Sequence, residues 1–326
     1  MEPPARLDGV SLRSLTTSRR VRIAAPLLIA SVLLTGCGGS DGGKSPSGEE
    51  TSAAPVPEFW PLTGLQAPEG TTTKLDRPPL VVKVDNTEAS SPQLGLSGAD
   101  MVVEELVEGG ITRLAAFFYT QLPKTVGPVR SMRASDIGIV TPVDADIVTS
   151  GAAEVTIKRI KKAGIDFYAE GSKGMFRDNS RHAPYNLFTH LQKTATLATR
   201  DPETVPDYLD WGTEAEYVGV EPVTKLEVPF SWSHTTKWSF DGTHYVNTNS
   251  NAKKGDQLTP DSVLVLRVKV GDAGYTDPAG NPVPETKFVG TGKALLFHAG
   301  QVVRGTWTKS ADDAPLQLAT AAGPLT

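Results

Sequence analysis

The sequence predicts an α/β domain, a mixed sheet with covering helices, followed by a smaller all-β domain. Three observations predict it. Between residues 80 and 200, β-branched apolar runs alternate with stretches of helical spacing, as they do when a sheet packs against helices. From Val223 onward the pattern changes to short strands, repeated Gly corners and a hairpin signal at Asp241-Gly242, which reads as all-β. Between them, "DPETVPDYLDWGTEAEY" is acidic and Pro-containing and reads as a linker or surface crossing. The boundaries are 58–200 for the α/β domain, 201–222 for the linker and 223–326 for the all-β domain. A chain of 326 residues is long enough for two such cores.

The N-terminal segment is of another kind. Arg19, Arg20 and Arg22 precede "IAAPLLIASVLL", Ile23 to Leu34, a 12-residue apolar run. That run is too short to span a bilayer and suits a signal peptide. It leads into Leu34-Thr35-Gly36-Cys37, which resembles a bacterial lipobox. Residues 1–36 are therefore expected to be removed, leaving Cys37 as the lipidated first residue. The expected location is the extracytoplasmic face of the cell membrane, held by that lipid anchor. The arginine pair in "TSRRVRI" is followed by Arg22 where a twin-arginine signal has an apolar residue, so both export routes stay open. Cys37 is the single cysteine, so no intrachain disulfide can form. Residues 37–57 continue with "GGSDGGKSPSGEETSAAPVP". Such a stretch cannot bury a core and reads as a disordered tether with an r.m.s. span of roughly 25 Å.

Charge restricts the partners. The chain carries 32 Lys+Arg and 37 Asp+Glu, of which five and two lie in residues 1–36, so the remainder is −8. Residues 108–186 run the other way, with eleven Lys+Arg against eight Asp+Glu. The basic excess is local, and no aromatic-basic stripe accompanies it. Nucleic acid is not an expected partner, whereas a local anion site is compatible with the pattern.

Within the first domain, "FWPLTGL" begins the folded part and "LVVKV" reads as a buried strand ending at Asp85. "MVVEELV" and "ITRLAAFFYT" read as a hairpin closed by Gly109-Gly110. A two-residue loop puts Glu108 opposite Ile111, Leu106 opposite Arg113 and Glu104 opposite Ala115. Glu104, Glu108 and Arg113 then share one face, either as an internal ion-pair network or as a preoriented guanidinium. "GPVRSMR" turns rigidly and places Arg130 and Arg133 at the start of a helix in "SMRASDIGIV", with Ser131 as a cap. Cations are disfavoured at that end, so either an anion lies nearby or the arginines pair with Asp136 or Glu108. "DADIVTS" and "IDFYAEG" read as further strands. "AAEVTIKRIKKAG" reads as a helix with a Lys-rich last turn stopped at Gly164. "FRDNSRHAPYNLFTH" is a Pro-interrupted loop with Arg177, Arg181, His182 and Asn186, either functional or pinned by Asp178–Arg pairs. The forks of Arg113, Arg130, Arg133, Arg177 and Arg181 suit phosphate or carboxylate, but spacing alone does not bring them together. Asp85 and Asn86 stand at a strand end, where Asp85 either serves a metal or a base or caps a turn. The tail "DDAPLQLATAAGPLT" shows no obvious last strand.

GxSxG, P-loop, HExxH and GxGxxG patterns are absent, and of five histidines only His182 and His190 lie close in sequence. No cofactor and no metal is expected from these patterns.

"VDN", "SPQLGLSGADMVVEELVEGGITRLAAFFY", "GPVRSMR", "TSGAAE" and "FRDNSRHAPYNLFT" together resemble the YerB-like bacterial lipoproteins, the DUF3048 family, over most of residues 60–310. The strings E-x-x-x-E-G-G-I-T-R and G-P-V-R-S-x-R carry the resemblance, and "TSGAAE" departs from a commoner Gly-Gly version. The resemblance implies a two-domain, extracytoplasmic, lipid-anchored protein without an assigned activity. It also implies a final strand containing Gly-x-Thr-Trp, before which this chain stops. It marks Asp85, Asn86, Glu104, Glu108, Arg113, Arg130, Arg133, Arg177, Arg181 and Asn186 as motif positions. Two functions fit. One is a non-catalytic module binding an anionic cell-envelope ligand or an envelope protein. The other is an enzyme on lipid-linked or phosphorylated wall precursors, with arginines on a pyrophosphate and Asp85 or Glu108 as metal ligand or base. The latter has a fold-level analogy to LytR-type phosphotransferases. An enzyme requires a deep pocket where a carboxylate meets at least three of the arginines.

Overall fold

The computed structural model describes residues 58–201, 204–213, 217 and 221–326. The predicted signal peptide, Cys37 and the tether lie outside the described residues.

The first half is organised by a five-stranded sheet of β1 (Leu80–Asp85), β2 (Met101–Leu106), β3 (Thr112–Phe118), β4 (Asp146–Val148) and β5 (Phe167–Tyr168) in the order β2-β3-β1-β4-β5. β1 is antiparallel to β3 and parallel to β4, so the sheet is mixed. All six residues of β1 are buried because a core forms on each face. Leu80, Val82 and Val84 pack with Ala116, Phe118 and Leu187 on one side, and Val81 packs with Phe117, Ile139 and Ile147 on the other.

The expected helical cover is much thinner than the sequence suggests. Among the described residues the α-helices are α1 (Asp136–Val140), α2 (Glu154–Lys162) and α3 (Leu191–Ala195). Loops cover much of the rest: Leu62, Val205 and Tyr208 on one face, Val126, Val129 and the hairpin of β6 (Met175–Arg177) and β7 (Leu187–Thr189) on the other. Apolar spacing in "SMRASDIGIV" is shared by a turn and five helical residues, so periodicity overstated the helix. Arg130 and Arg133 therefore precede α1 rather than open it, and Ser131 caps nothing. α2 ends as expected, with Gly164 at φ 74°.

The β2–β3 register also differs from the expectation. Gly109 and Gly110 both take positive φ, 72° and 73°, and the loop includes Glu108, so Val107 N donates to Ile111 O. A three-residue loop shifts the register by one. Glu105, not Leu106, opposes Arg113, and Leu114 opposes Glu104. Glu104 consequently turns to the face opposite Arg113.

Among the described residues from 221 to 326, every regular element is a strand. They are β8 (Glu221–Pro222), β9 (Lys225–Pro229), β10 (Thr235–Phe240), β11 (Tyr245–Asn247), β12 (Ser262–Leu266), β13 (Lys269–Thr276), β14 (Pro282–Lys287), β15 (Gly290–His298), β16 (Gln301–Lys309), β17 (Gln317–Thr320) and β18 (Gly323–Leu325). β11-β10-β9 form one sheet; β12-β15-β16-β17-β18 form another, with β8 beside β16. The hairpin at Asp241 is present, its carboxylate accepting from Thr243 N and His244 N.

The tail corrects the expectation of no last strand: "QLAT" and "GPL" form β17 and β18. Each is too short for the alternation that identifies a strand in sequence, and pairing with β16 defines them. Gly305 makes that pairing possible, since a Cβ there would strike Ala319 O. Gly305→Ala is expected to cost about 1–3 kcal/mol by overpacking, read as a lowered melting temperature; an unchanged melt would show that β17 does not pack on β16.

The β13–β14 arm reaches back to the first domain. Arg159 donates to both Glu285 oxygens at 2.9 and 2.7 Å, Thr286 N donates to Ser135 Oγ at 3.0 Å, and Thr156 Oγ1 lies 2.9 Å from Tyr275 OH. Elsewhere the domains leave a cleft of about 1520 Å³ between them.

Candidate functional site

Lys83 is the residue that organises the charged face of the sheet. It lies in the middle of β1 at 0% exposure, where an ammonium requires partners. Its Nζ is 2.5 Å from Glu105 Oε1 and 2.6 Å from Asp136 Oδ1. Burial opposes its charge, but Asp136 and Glu105 outweigh burial and raise its pKa. Burial acts the other way on Glu105, raising its pKa against the attraction of Lys83.

Next along the same face stands Arg113, opposite Glu105 in β2 and Asp85 in β1. Its Nη2 donates to Glu108 Oε1 at 2.9 Å and its Nη1 to Ser131 O at 3.0 Å. Arg133 Nε donates to Glu108 Oε2 at 2.9 Å, its Nη2 also meets Oε1, and its Nη1 caps Met132 O. Glu108 thus holds two guanidinium groups. Burial opposes its charge, yet the Arg133 hydrogen bond and the Arg113 charge bring its pKa down to about 2. Burial, then repulsion from Arg133, lowers Arg113 to about 10. Arg130 Nε lies 2.9 Å from Asp85 Oδ2, without the alignment of a hydrogen bond. Asp85 Oδ1 accepts from Thr87 N and Thr87 Oγ1, so Asp85 caps a turn and pairs with Arg130 at once.

The resulting network is balanced. Lys83, Arg113, Arg130 and Arg133 face Asp85, Glu105, Glu108 and Asp136, four cations against four carboxylates. Its interior is not fully satisfied, since Arg113 Nε and Glu105 Oε2 are buried without hydrogen-bond partners.

The other two arginines stand apart from it. Arg177 pairs with exposed Glu170 and donates to Asn186 Oδ1 at 2.6 Å. Arg181 donates to Ser90 O at 2.7 Å and lies over the Phe188 ring. Asp178 accepts from Ser180, not from an arginine side chain. The five arginines do not converge on one point: three join the network and two brace the β6–β7 hairpin. Arg130, over the Tyr185 ring, connects the two groups.

On the opposite face, Glu104 ties the domains together. Its Oε1 accepts from Asn86 Nδ2 at 3.1 Å, Thr112 Oγ1 at 2.7 Å and Thr236 Oγ1 at 2.8 Å, and lies 3.0 Å from His234 Nε2. Asn86 Oδ1 in turn accepts from Gln93 Nε2 at 3.0 Å. Sequence reasoning missed Lys83, Glu105, His234 and Thr236. A lysine inside a β-branched run was a readable signal for the first. Nothing in the sequence links His234 to Glu104, since only the domain contact joins them.

Asn86, Glu104 and Glu105 line the interdomain cleft, whereas Asp85, Glu108, Arg113, Arg130 and Arg133 do not. Apolar side chains dominate its walls, including Val102 and Leu106 from one domain and Trp238, Val263 and Val265 from the other. Among the described residues no cluster of His, Cys, Asp and Glu could hold a metal ion. None of the described helices is long and apolar enough to cross a membrane.

Comparison with known proteins agrees with this architecture. The Bacillus subtilis (strain 168) protein named "Putative lipoprotein YerB" is 28% identical over 267 residues, covering 76% of this chain and 77% of that protein. A crystal structure of the YerB protein from Bacillus subtilis superposes with a TM-score of 0.66 at 24% identity, covering 82% of this chain and 92% of that one; at that identity the likeness is one of fold. Residues 62–204 match the N-terminal domain, and residues 224–326 the C-terminal domain, of a family described as a protein of unknown function, DUF3048. These matches span most of the chain, and on that ground it belongs to the DUF3048 family.

Proposed function

We propose that the protein is a non-catalytic binding module of the cell envelope, anchored through a lipid on Cys37 at the extracytoplasmic face, that holds an envelope protein in the cleft between its domains. A relative named as a lipoprotein supports the anchor. The observation that carries the binding reading is the cleft of about 1520 Å³ with mainly apolar walls, which is larger than the 300–1,000 Å³ of ordinary small-molecule pockets, roughly.

The anionic-ligand reading loses support from the charge balance. Each arginine of the network already has a carboxylate, and Arg113 and Arg133 are buried. The same geometry weakens the enzyme reading: three arginines do meet carboxylates, but Arg113 and Arg133 are buried and none of the three lines the cleft.

Site-specific photo-crosslinkers at Val102 and Val265, one on each wall, test this in the membrane-anchored chain. Both are expected to capture the same envelope protein, and the exposed position Lys158 is not. Absence of an adduct at either wall would overturn the reading. Pyrophosphate is expected to leave the melting temperature unchanged, because a ligand of the native state alone must raise it; a rise would restore the anion site.

A further inference from the structure

Resting on the reading of the cleft as a partner site, we propose that its occupant is an extended, basic polypeptide segment that adds a strand to the free sheet edges lining it.

Two sheet edges end in this cleft. β2 is the outer strand of the five-stranded sheet and β12 the outer strand of the C-terminal sheet. Among the described residues, nothing pairs with the far side of either. All six residues of β2 and all five of β12 line the cleft. An unpaired edge presents a row of backbone donors and acceptors, which proteins ordinarily cover or charge. Here β12 is mainly apolar, β2 combines apolar residues with Glu104 and Glu105, and both face a cavity.

Register shows which groups are free. Val107 N donates to Ile111 O and Arg267 N donates to Lys293 O, each continuing its ladder. Bonded and non-bonded residues alternate along an antiparallel pair. Val102, Glu104 and Leu106 of β2, and Leu264 and Leu266 of β12, therefore turn their N–H and C=O groups outward, into the cleft. These groups call for the backbone of another polypeptide; a lipid or a sugar does not repeat donors and acceptors at strand spacing. In strand addition, main-chain hydrogen bonds hold the peptide and alternate side chains enter pockets.

Charge selects the kind of segment. Along the cleft four carboxylates, Asp100, Glu104, Asp210 and Asp261, stand against one guanidinium, Arg267; the Glu105 carboxylate is turned inward to Lys83 and does not count. Such a wall favours lysine or arginine on the incoming strand and repels acidic segments. The chain's own tether, Gly38 to Pro57, is Gly/Ser/Pro-rich with acidic residues and no apolar alternation, so it does not fit.

The test uses the full chain in detergent micelles and a fluorescent peptide of alternating valine and lysine, with a valine–glutamate peptide as control. The basic peptide is expected to bind and the acidic one not. Val102→Pro and Leu264→Pro each delete an outward N–H without touching the inner ladder. They are expected to weaken binding at least about tenfold, whereas Val102→Ala and Leu264→Ala, which keep the N–H, weaken it far less. Equal loss in the Pro and Ala variants would overturn the strand-addition mode. Hydrogen exchange on the unmodified chain decides the matter if the Pro variants do not fold. The amides of Val102, Glu104, Leu264 and Leu266 must gain protection with peptide. No protection, or no binding of the basic peptide, overturns the inference, even where the crosslinkers still capture one envelope protein. Protection without peptide that rises with protein concentration assigns the edges to a second copy and also overturns it.

Discussion

Lys83→Met is expected to destabilise the first domain by about 3–5 kcal/mol, the range for removing one partner of a buried ion pair. Lys83 is fully buried, and its loss leaves Glu105 and Asp136, each within 2.6 Å of its Nζ, as two buried carboxylates without a cation. Such a loss is a large share of the stability of an ordinary domain, about 5–15 kcal/mol. Urea unfolding at neutral pH measures it. The deficit should shrink as the pH falls, because protonation removes the uncompensated charge. Lys83→Met combined with Glu105→Gln and Asp136→Asn should recover much of it, since replacing the whole buried group with neutral residues costs less than orphaning part of it. A loss below about 1 kcal/mol, as for an exposed pair, would show that the triad is open to water.

Glu108→Gln is expected to be of similar size, about 3–5 kcal/mol, because one carboxylate serves both Arg113 and Arg133. Here pH gives a separate signature. The folded carboxyl has a pKa of about 2 against an ordinary 4.5. Its contribution is therefore fully present above pH 4.5 and lost as the pH falls toward 2. Linkage makes that contribution about 3 kcal/mol. The wild-type stability curve should fall across this window and the Glu108→Gln curve should fall less. Glu285, also held at about 2 by Arg159 and Lys287, titrates in both proteins, so the difference between the curves isolates Glu108. Parallel curves would show that Glu108 is not paired in the folded state.

Both predictions treat the arginines and Lys83 as parts of a structural frame. The sequence left that open at Arg113 and Arg130, where a local basic excess fitted an anion as well as it fitted pairing. It read Asp85 as a turn cap or a metal or base residue, and the structure has it capping a turn while pairing with Arg130. The strands were legible because β-branched runs and Gly corners are local signals. The helices were overstated because five-residue helices and turns share the same apolar spacing. The hairpin register was misread because Gly109-Gly110 looks the same in a two-residue loop and in the three-residue loop that includes Glu108. That single step sent Glu104 to the face where His234 and Thr236 meet it.

By itself the sequence determined the main strands of the first domain, the two-part organisation and the family resemblance, and it carries the expectation of a signal segment over residues 1–36. All of these are written in composition and short-range pattern. Only the tertiary structure decided which charges neutralise one another, which face Glu104 occupies, and that the edges of β2 and β12 share one cleft. The ion pairs join different strands and loops across tens of residues, the Glu104 contacts with His234 and Thr236 and the shared cleft join residues more than a hundred positions apart, and the face of Glu104 is set by a loop length; none of these leaves a periodic trace along the chain.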